Sequence, residues 1–246
     1  MNLILLSAED FIAPDRVLLQ GRRKQHVLDV HRALPGDRLR VGLLDGRIGH
    51  GTILRLSEQE LNMEIRLDSP PPEPLPVTLL LALPRPKMLR RVLQTCSAMG
   101  VKDLYLINSY RVDKSYWKSP LLQPEKLREQ LLLGLEQAGD TLVPSVHLRS
   151  RFKPFVEDEL PVLCGETAAY VAHPDRADSC PAVLTGPATL AIGPEGGFIP
   201  YEIARFEECG FQRISLGPRI LRVETAVPVL LSRINTATEE TVHGKP

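Results

Sequence analysis

Five of the eight residues from Ser69 to Pro76 are proline. Each fixes φ and removes a backbone donor, so this stretch cannot continue a helix or lie inside a sheet and is read as a stiff, extended connector. It divides the 246 residues into a segment over 1–70, a linker over 71–76 and a segment over 77–240. A chain of this length can build such cores without disulfide staples.

The two segments differ in pattern. Before the joint, short runs alternate apolar and polar residues: Arg38 to Leu44, Gly51 to Leu56 and Leu61 to Leu67. Asp45-Gly46 and Pro35-Gly36-Asp37 are turn signals between them. Gln25 to Ala33 reads as one short helix, and a small β-barrel is the economical fold. After the joint, strands and helices alternate. Val77 to Leu83 is a continuous apolar run, as expected of a strand covered on both faces. Helices are predicted over Lys87–Met99, Pro124–Gln137, Tyr201–Cys209 and Val223–Ala237. Strands are predicted over Asp103–Ile107, Thr167–Val171, Ala188–Ile192 and Gln212–Leu216. The fold class is α/β, with a mostly parallel sheet following a small β domain.

Two glycine-rich turns near the C-terminus carry the functional signal. One is Ala191-Ile192-Gly193-Pro194-Glu195-Gly196-Gly197-Phe198. The other is Leu216-Gly217-Pro218-Arg219-Ile220-Leu221-Arg222-Val223-Glu224-Thr225-Ala226. Each follows a strand-like run and precedes a helix. Glycine there permits close backbone approach and unusual φ. Turns at the ends of neighbouring parallel strands form one crevice, the usual ligand site of open α/β sheets. Ile192, Phe198, Leu216, Ile220 and Leu221 give it an apolar lining suited to an adenine face, with backbone groups to read the adenine edge.

Other classes are disfavoured. There is no P-loop and no G-x-G-x-x-G after the first strand of the α/β segment. The N-terminus lacks a basic region and turns acidic, unlike a signal peptide. No apolar run is long enough for a membrane span. The four cysteines, Cys96, Cys164, Cys180 and Cys209, form no C-x-x-C pair, which fits a reduced, cytoplasmic protein. The histidines lack metal spacing, so no metal is expected.

The net charge is zero, but the charges are segregated. Arg16 to Arg55 holds nine Lys/Arg against three Asp/Glu, and Arg85 to Lys118 holds eight against two. Ser119 to Pro218 reverses the balance, fourteen acidic to eight basic. Such segregation can create a basic face on a neutral protein; the alternative is a set of solvated faces that never line up.

The paired glycine turns closely resemble those of the ribosomal RNA small subunit methyltransferase E family, of the SPOUT superfamily. Lys87-Met88, Gly100-Val101, Glu136-Gln137, Ala172-His173-Pro174 and the stretch from Val27 to Gly36-Asp37 match further family positions. The chain departs at Ala98, where the family has a glutamate, and at Asp140, where an arginine taken to face RNA is usual. Arg111 matches, but the lysine after it is displaced to Lys114. The resemblance implies a PUA-like RNA-binding barrel, a trefoil knot at the cofactor site and a homodimer. It implies S-adenosyl-L-methionine as cofactor, with methyl transfer to a uridine N3 of 16S ribosomal RNA, free or in the small ribosomal subunit. The alternative is a catalytically altered paralogue acting on another RNA or serving as an RNA-binding factor.

Site residues follow from the same likeness. The cofactor set is His173, Pro174, Ile192, Gly193, Pro194, Glu195, Gly196, Gly197, Leu216, Gly217, Ile220, Leu221, Arg222, Thr225 and Ala226. Arg222 is the first candidate for contacting the base or stabilising its charge; helix capping and a phosphate contact compete. Glu224 is either a base or a first-turn carboxylate complementing the helix dipole. Arg111 either contacts RNA or forms a surface ion pair. Glu195 either holds its turn through backbone N–H groups or meets the cofactor amine. Arg22, Arg23, Lys24, Arg32, Arg38 and Arg40 are candidate phosphate contacts.

Overall fold

The structure, a computed structural model, describes residues 2–31, 33–165, 167–174, 178–180 and 186–234. It falls into two units: Met1–Glu73 with Leu132–Val143, and Pro74–Leu131 with Pro144–Pro246.

The first unit contains β1 (Ile4–Leu6), β2 (Phe11–Ala13), β3 (Arg16–Leu19), α1 (Gly21–His26), β4 (Arg38–Leu43), β5 (Ile48–Leu56) and β6 (Leu61–Ser69). The strands form one sheet in the order β1-β4-β5-β6-β3-β2, with β1–β4 parallel and the other pairs antiparallel. Among the described residues β1 and β2 are its edges, so the expected β-barrel is seen as an open series of six strands. Alternation sets its faces. Leu61, Met63 and Ile65 of β6 join the core with Val17, Leu19 and Val41, while Glu64 and Arg66 between them are exposed. Asp45 takes a positive φ of 55° at the β4–β5 hairpin, where the Gly46 N–H donates to Leu43 O (2.9 Å).

The helix expected over Gln25–Ala33 starts earlier, at Gly21, and passes into a π-type turn over Val27–His31. Its first residues, Gly21-Arg22-Arg23-Lys24, carry no apolar period, and pairing of their charges with distant groups holds them instead. Arg23 donates both guanidinium nitrogens to Asp10 (2.7 and 2.6 Å). Burial alone would raise the Asp10 carboxyl, but the Arg23 fork and the Ser7 N–H outweigh it and hold it below its ordinary 3.8.

The second unit runs β7 (Leu75–Ala82), α2 (Pro86–Ala98), β8 (Val101–Ile107), α3 (Pro124–Ala138), β9 (Ser145–Arg149), α4 (Phe152–Pro154), α5 (Leu160–Cys164), β10 (Ala168–Ala172), β11 (Asp178–Ser179), β12 (Ala188–Ile192), α6 (Pro200–Glu208), β13 (Gln212–Ser215) and α7 (Val223–Ile234). The last residues of α3, from Leu132, belong to the first unit. β7 opens at Leu75, inside the predicted linker, where the Leu75 N–H donates to Gly100 O (2.9 Å). The strand order is β11-β13-β10-β12-β7-β8-β9, and every pair is parallel. Leu79 to Leu83 are buried, as a sheet covered on both faces requires. α2 buries Leu89, Val92, Leu93 and Cys96, a stripe at helical spacing that contributes about 1.5–3 kcal/mol per large side chain. Burial pushes the Cys96 thiol up to about 12 and that of Cys164 to about 11, so both stay protonated at neutral pH. No described helix is long and apolar enough to cross a membrane.

Because the folded Asp10 value lies below its unfolded one, the Asp10–Arg23 pair contributes fully above about pH 4 and its contribution is lost as pH falls through the folded value. Asp10→Asn should therefore lower stability at pH 7 by about 2 kcal/mol, and the gap to wild type should shrink toward pH 3. Urea unfolding followed by circular dichroism across this range checks it; a gap that does not change with pH refutes the assignment.

Candidate active site

The two glycine turns do not follow adjacent strands. β10 stands between β12 and β13, and its own carboxyl end adds a third loop, Ala172-His173-Pro174. In the register, Ala172 is level with Ile192 on one side and Ile214 on the other. Three loops therefore leave the sheet at one height and enclose a cavity of about 220 Å³. The two glycine turns, expected on neighbouring strands, are thus corrected to strands on either side of β10, while His173 and Pro174 join the crevice as the resemblance implies.

Of the predicted cofactor residues, His173 and Pro174 line the first loop, Ile192 to Gly197 the second, and Leu216, Gly217, Ile220 and Leu221 the third; Ala226 contributes from α7. Ala172, Ile214, Ser215, Arg219, Val223 and Leu230, not in the predicted set, also line it. Arg222 and Thr225 do not. The Arg222 carbonyl accepts the N–H groups of Thr225 (2.9 Å) and Ala226 (2.8 Å), so this residue opens the first turn of α7. Glu224 is half-buried in that same turn, where its charge complements the helix dipole.

The second loop is tightly built. The Gly197 N–H donates to Pro194 O (2.8 Å), and Gly197 takes a φ of +72°. A β-carbon on Gly193 would lie 3.0 Å from Phe198 N, tighter than ordinary van der Waals contact, so glycine allows the turn its close backbone approach. Phe198 anchors it by packing on Phe206, ring centres 5.0 Å apart. Two arginines brace the outside. Glu195 accepts the Arg85 N–H (3.2 Å) and pairs with its guanidinium (3.9 Å). Arg111 donates to the Gly196 carbonyl. The third loop is different. Among the described residues Gly217 to Leu221 makes no backbone–backbone hydrogen bond, and Gly217 sits at φ +102°. Its backbone donors and acceptors are available at the crevice.

Sequence reasoning missed Glu202, which is 2% exposed. Its carboxylate accepts the N–H groups of Ile199 (3.0 Å) and Tyr110 (2.7 Å) and the Ser109 hydroxyl (3.2 Å). It thus caps α6 and fixes the loop that carries Arg111. The signal was present: proline at the first helical position and glutamate at the third are half of a capping box. Arg85 was missed because its pairing spans 110 residues.

In the first unit the basic candidates separate. Arg23 is bound to Asp10 and to Leu5 O (2.7 Å), and buried Lys24 donates to Glu58 O. Their donors are engaged within the fold, which corrects their reading as free phosphate contacts. Arg22 pairs with buried Glu136 (2.6 Å) while its side chain stays 60% exposed. Arg38 and Arg40 are exposed; Arg32 lies outside the described residues. Asp140 does not stand in for an RNA-facing cation. It is buried, and its carboxylate accepts the N–H groups of Thr141 (2.6 Å) and Leu142 (3.0 Å).

The model of the RNA methyltransferase domain family matches residues 71–235. A ribosomal RNA small subunit methyltransferase E of Mesomycoplasma hyopneumoniae is 32% identical over 162 residues, 64% of this chain and 68% of the relative. The chain belongs to the ribosomal RNA small subunit methyltransferase E family. The family protein of Treponema pallidum is 29% identical over 92% of this chain and 87% of its own length. A solved family structure, from Neisseria gonorrhoeae and bound to S-adenosyl methionine, superposes with a TM-score of 0.75 at 24% identity, covering 94% of this chain and 95% of that one. The family fold is thus seen along nearly the whole chain.

Glu202→Ala should destabilise the protein by about 2 kcal/mol, since it leaves the buried Ser109 hydroxyl and two part-buried N–H groups without this acceptor. Glu202→Gln, which keeps an acceptor, should recover part of the loss. Urea midpoints for the two variants decide it, and an unchanged midpoint for Glu202→Ala excludes the bracing role.

Proposed function

We propose that the protein transfers the methyl group of S-adenosyl-L-methionine to N3 of a uridine in 16S ribosomal RNA. One observation carries the reading: the crevice is walled by apolar side chains and available backbone groups, with Arg219 as the one Lys or Arg among its described lining residues. Such a lining suits an adenosine derivative of low net charge, whereas a polyphosphate calls for several cations. Gly217, with a positive φ and open space where a β-carbon would stand, leaves room for a nucleoside against the backbone. The family membership and the cofactor in the Neisseria gonorrhoeae relative support the same choice.

When bound, S-adenosyl-L-methionine would supply an electrophilic methyl to the uridine N3 as the N3 proton is taken by a base, leaving S-adenosylhomocysteine. The chain's own residues position the reactants and manage charge. Loops 192–197 and 216–221 hold the nucleoside. Arg222, exposed at the start of α7, faces the uridine and stabilises the anion that develops as the proton leaves. Arg111 holds the second loop through Gly196 and presents its remaining donors to RNA. Glu224 is the candidate base. The first unit, in this reading a PUA-like module, holds RNA phosphates through Arg22, Arg38 and Arg40. The reading includes a homodimer, a knotted cofactor region and work in the cytoplasm on RNA of the small ribosomal subunit.

Radiolabelled methyl transfer followed by nucleoside mass spectrometry should yield N3-methyluridine in 16S RNA; label in another nucleoside overturns the target. Arg222→Ala should lower kcat about 100-fold while calorimetric affinity for S-adenosylmethionine holds, because this residue does not line the crevice. Gly217→Ala should instead weaken cofactor affinity about tenfold, since alanine at that φ is strained.

A further inference from the structure

The outward face of the first unit's sheet carries a row of basic side chains that the cofactor reading does not use. Across β4, β5 and β6 the register sets Arg40 opposite His50 and His50 opposite Arg66. All three are exposed. The next row sets Arg38, Thr52, Glu64 and Arg16 side by side. Arg40 and Arg66 flank His50 on this face, and two exposed guanidinium groups on one sheet face favour an anionic partner. The row's nearest carboxylate, Asp68, lies 3.4 Å from Arg66, but that arginine is 85% exposed and such a pair is easily displaced.

A cleft lies beside this row. Arg40, Ile48, Gly49 and His50 form one side and Ser69 to Pro72 the other, around about 400 Å³. Its shape is set by the backbone. The β5–β6 register shifts between Ile48 and Gly49, and a β-carbon on Gly49 would lie 1.9 Å from Arg66 O. Only glycine admits the bulge, and a bulge re-aims the side chains that flank it. The Arg40 guanidinium lies over Gly139, where a β-carbon would stand 2.8 Å from its Nη1. The three prolines opposite are rigid and offer ring faces without N–H groups.

We propose that this cleft is a subsite for one unpaired nucleotide of the RNA substrate. The base lies between the His50 imidazole and the proline wall, and its flanking phosphates meet Arg40 and Arg66. The inference rests on the RNA reading above and adds where a single-stranded segment is gripped. A single base fits such a cleft, whereas a duplex keeps its bases stacked inside.

The test uses the full chain and a short fluorescent oligouridylate, single-stranded or annealed to its complement, in a salt series. Wild type should prefer the single strand. Arg40→Gln with Arg66→Gln should weaken binding about tenfold and flatten the salt dependence by roughly 1.4, the contribution of two single-strand phosphates. His50→Ala should weaken it about fivefold or more, as loss of one stacking partner does, without changing the slope. Arg55→Gln, which removes a charge elsewhere on the sheet, should leave both unchanged. Wild-type binding by the double and His50 variants, or equal affinity for the duplex, overturns the subsite. Methyl transfer to 16S RNA is measured on the same wild-type preparation. Methylation with cleft-independent binding retires the subsite alone; cleft-dependent binding without methylation retires the enzyme reading and keeps the subsite.

Discussion

A parallel strand pair cannot be closed by a tight turn; each connection must travel back along the sheet before the next strand begins. In this protein that rule leaves the carboxyl ends of β10, β12 and β13 each followed by a loop. The register then brings Ala172, Ile192 and Ile214 to one level. A one-residue slip in either pairing would exchange the faces on which the side chains pack and stagger the loops. The crevice is therefore a consequence of strand register first and of loop composition second.

The loops so placed are held unequally. The 192–197 turn is braced by Arg85, Arg111 and its own Gly197–Pro194 bond, with Glu202 fixing the loop that delivers Arg111. The 217–221 loop has no such backbone bonds among the described residues and leaves Ile220 83% exposed. One wall is preorganised and the other has polar groups to satisfy with a ligand. That division limits the ordering cost of binding while keeping donors and acceptors for recognition.

Local signals were readable and long-range pairings were not. The apolar run of β7, the stripe of α2 and the glycines at 193, 197 and 217 declare themselves within a few residues. They were enough to expect a parallel sheet and the chemistry of its edge. That β10 inserts between the two turns is a matter of strand order, which no local pattern encodes. Arg23 and Lys24 read as free cations because their partners, Asp10 and the Glu58 carbonyl, are named only by the fold. Asp140 read as a reversed charge for the same reason; its partners are backbone N–H groups that any sequence supplies.

The return of residues 132–143 to the first unit carries an evolutionary consequence. Leu135 completes the small apolar cluster of Leu3, Leu5 and Ile48, and Glu136 receives both the Arg22 guanidinium and the Asn2 N–H. A recombination breakpoint at the proline joint would hand on a half-built module, without the Glu136 carboxylate and without the Leu135 side chain that packs on Leu3 and Leu5. Exchange of this module between lineages must carry two separate stretches of gene, which ties the history of the β segment to that of the α/β segment.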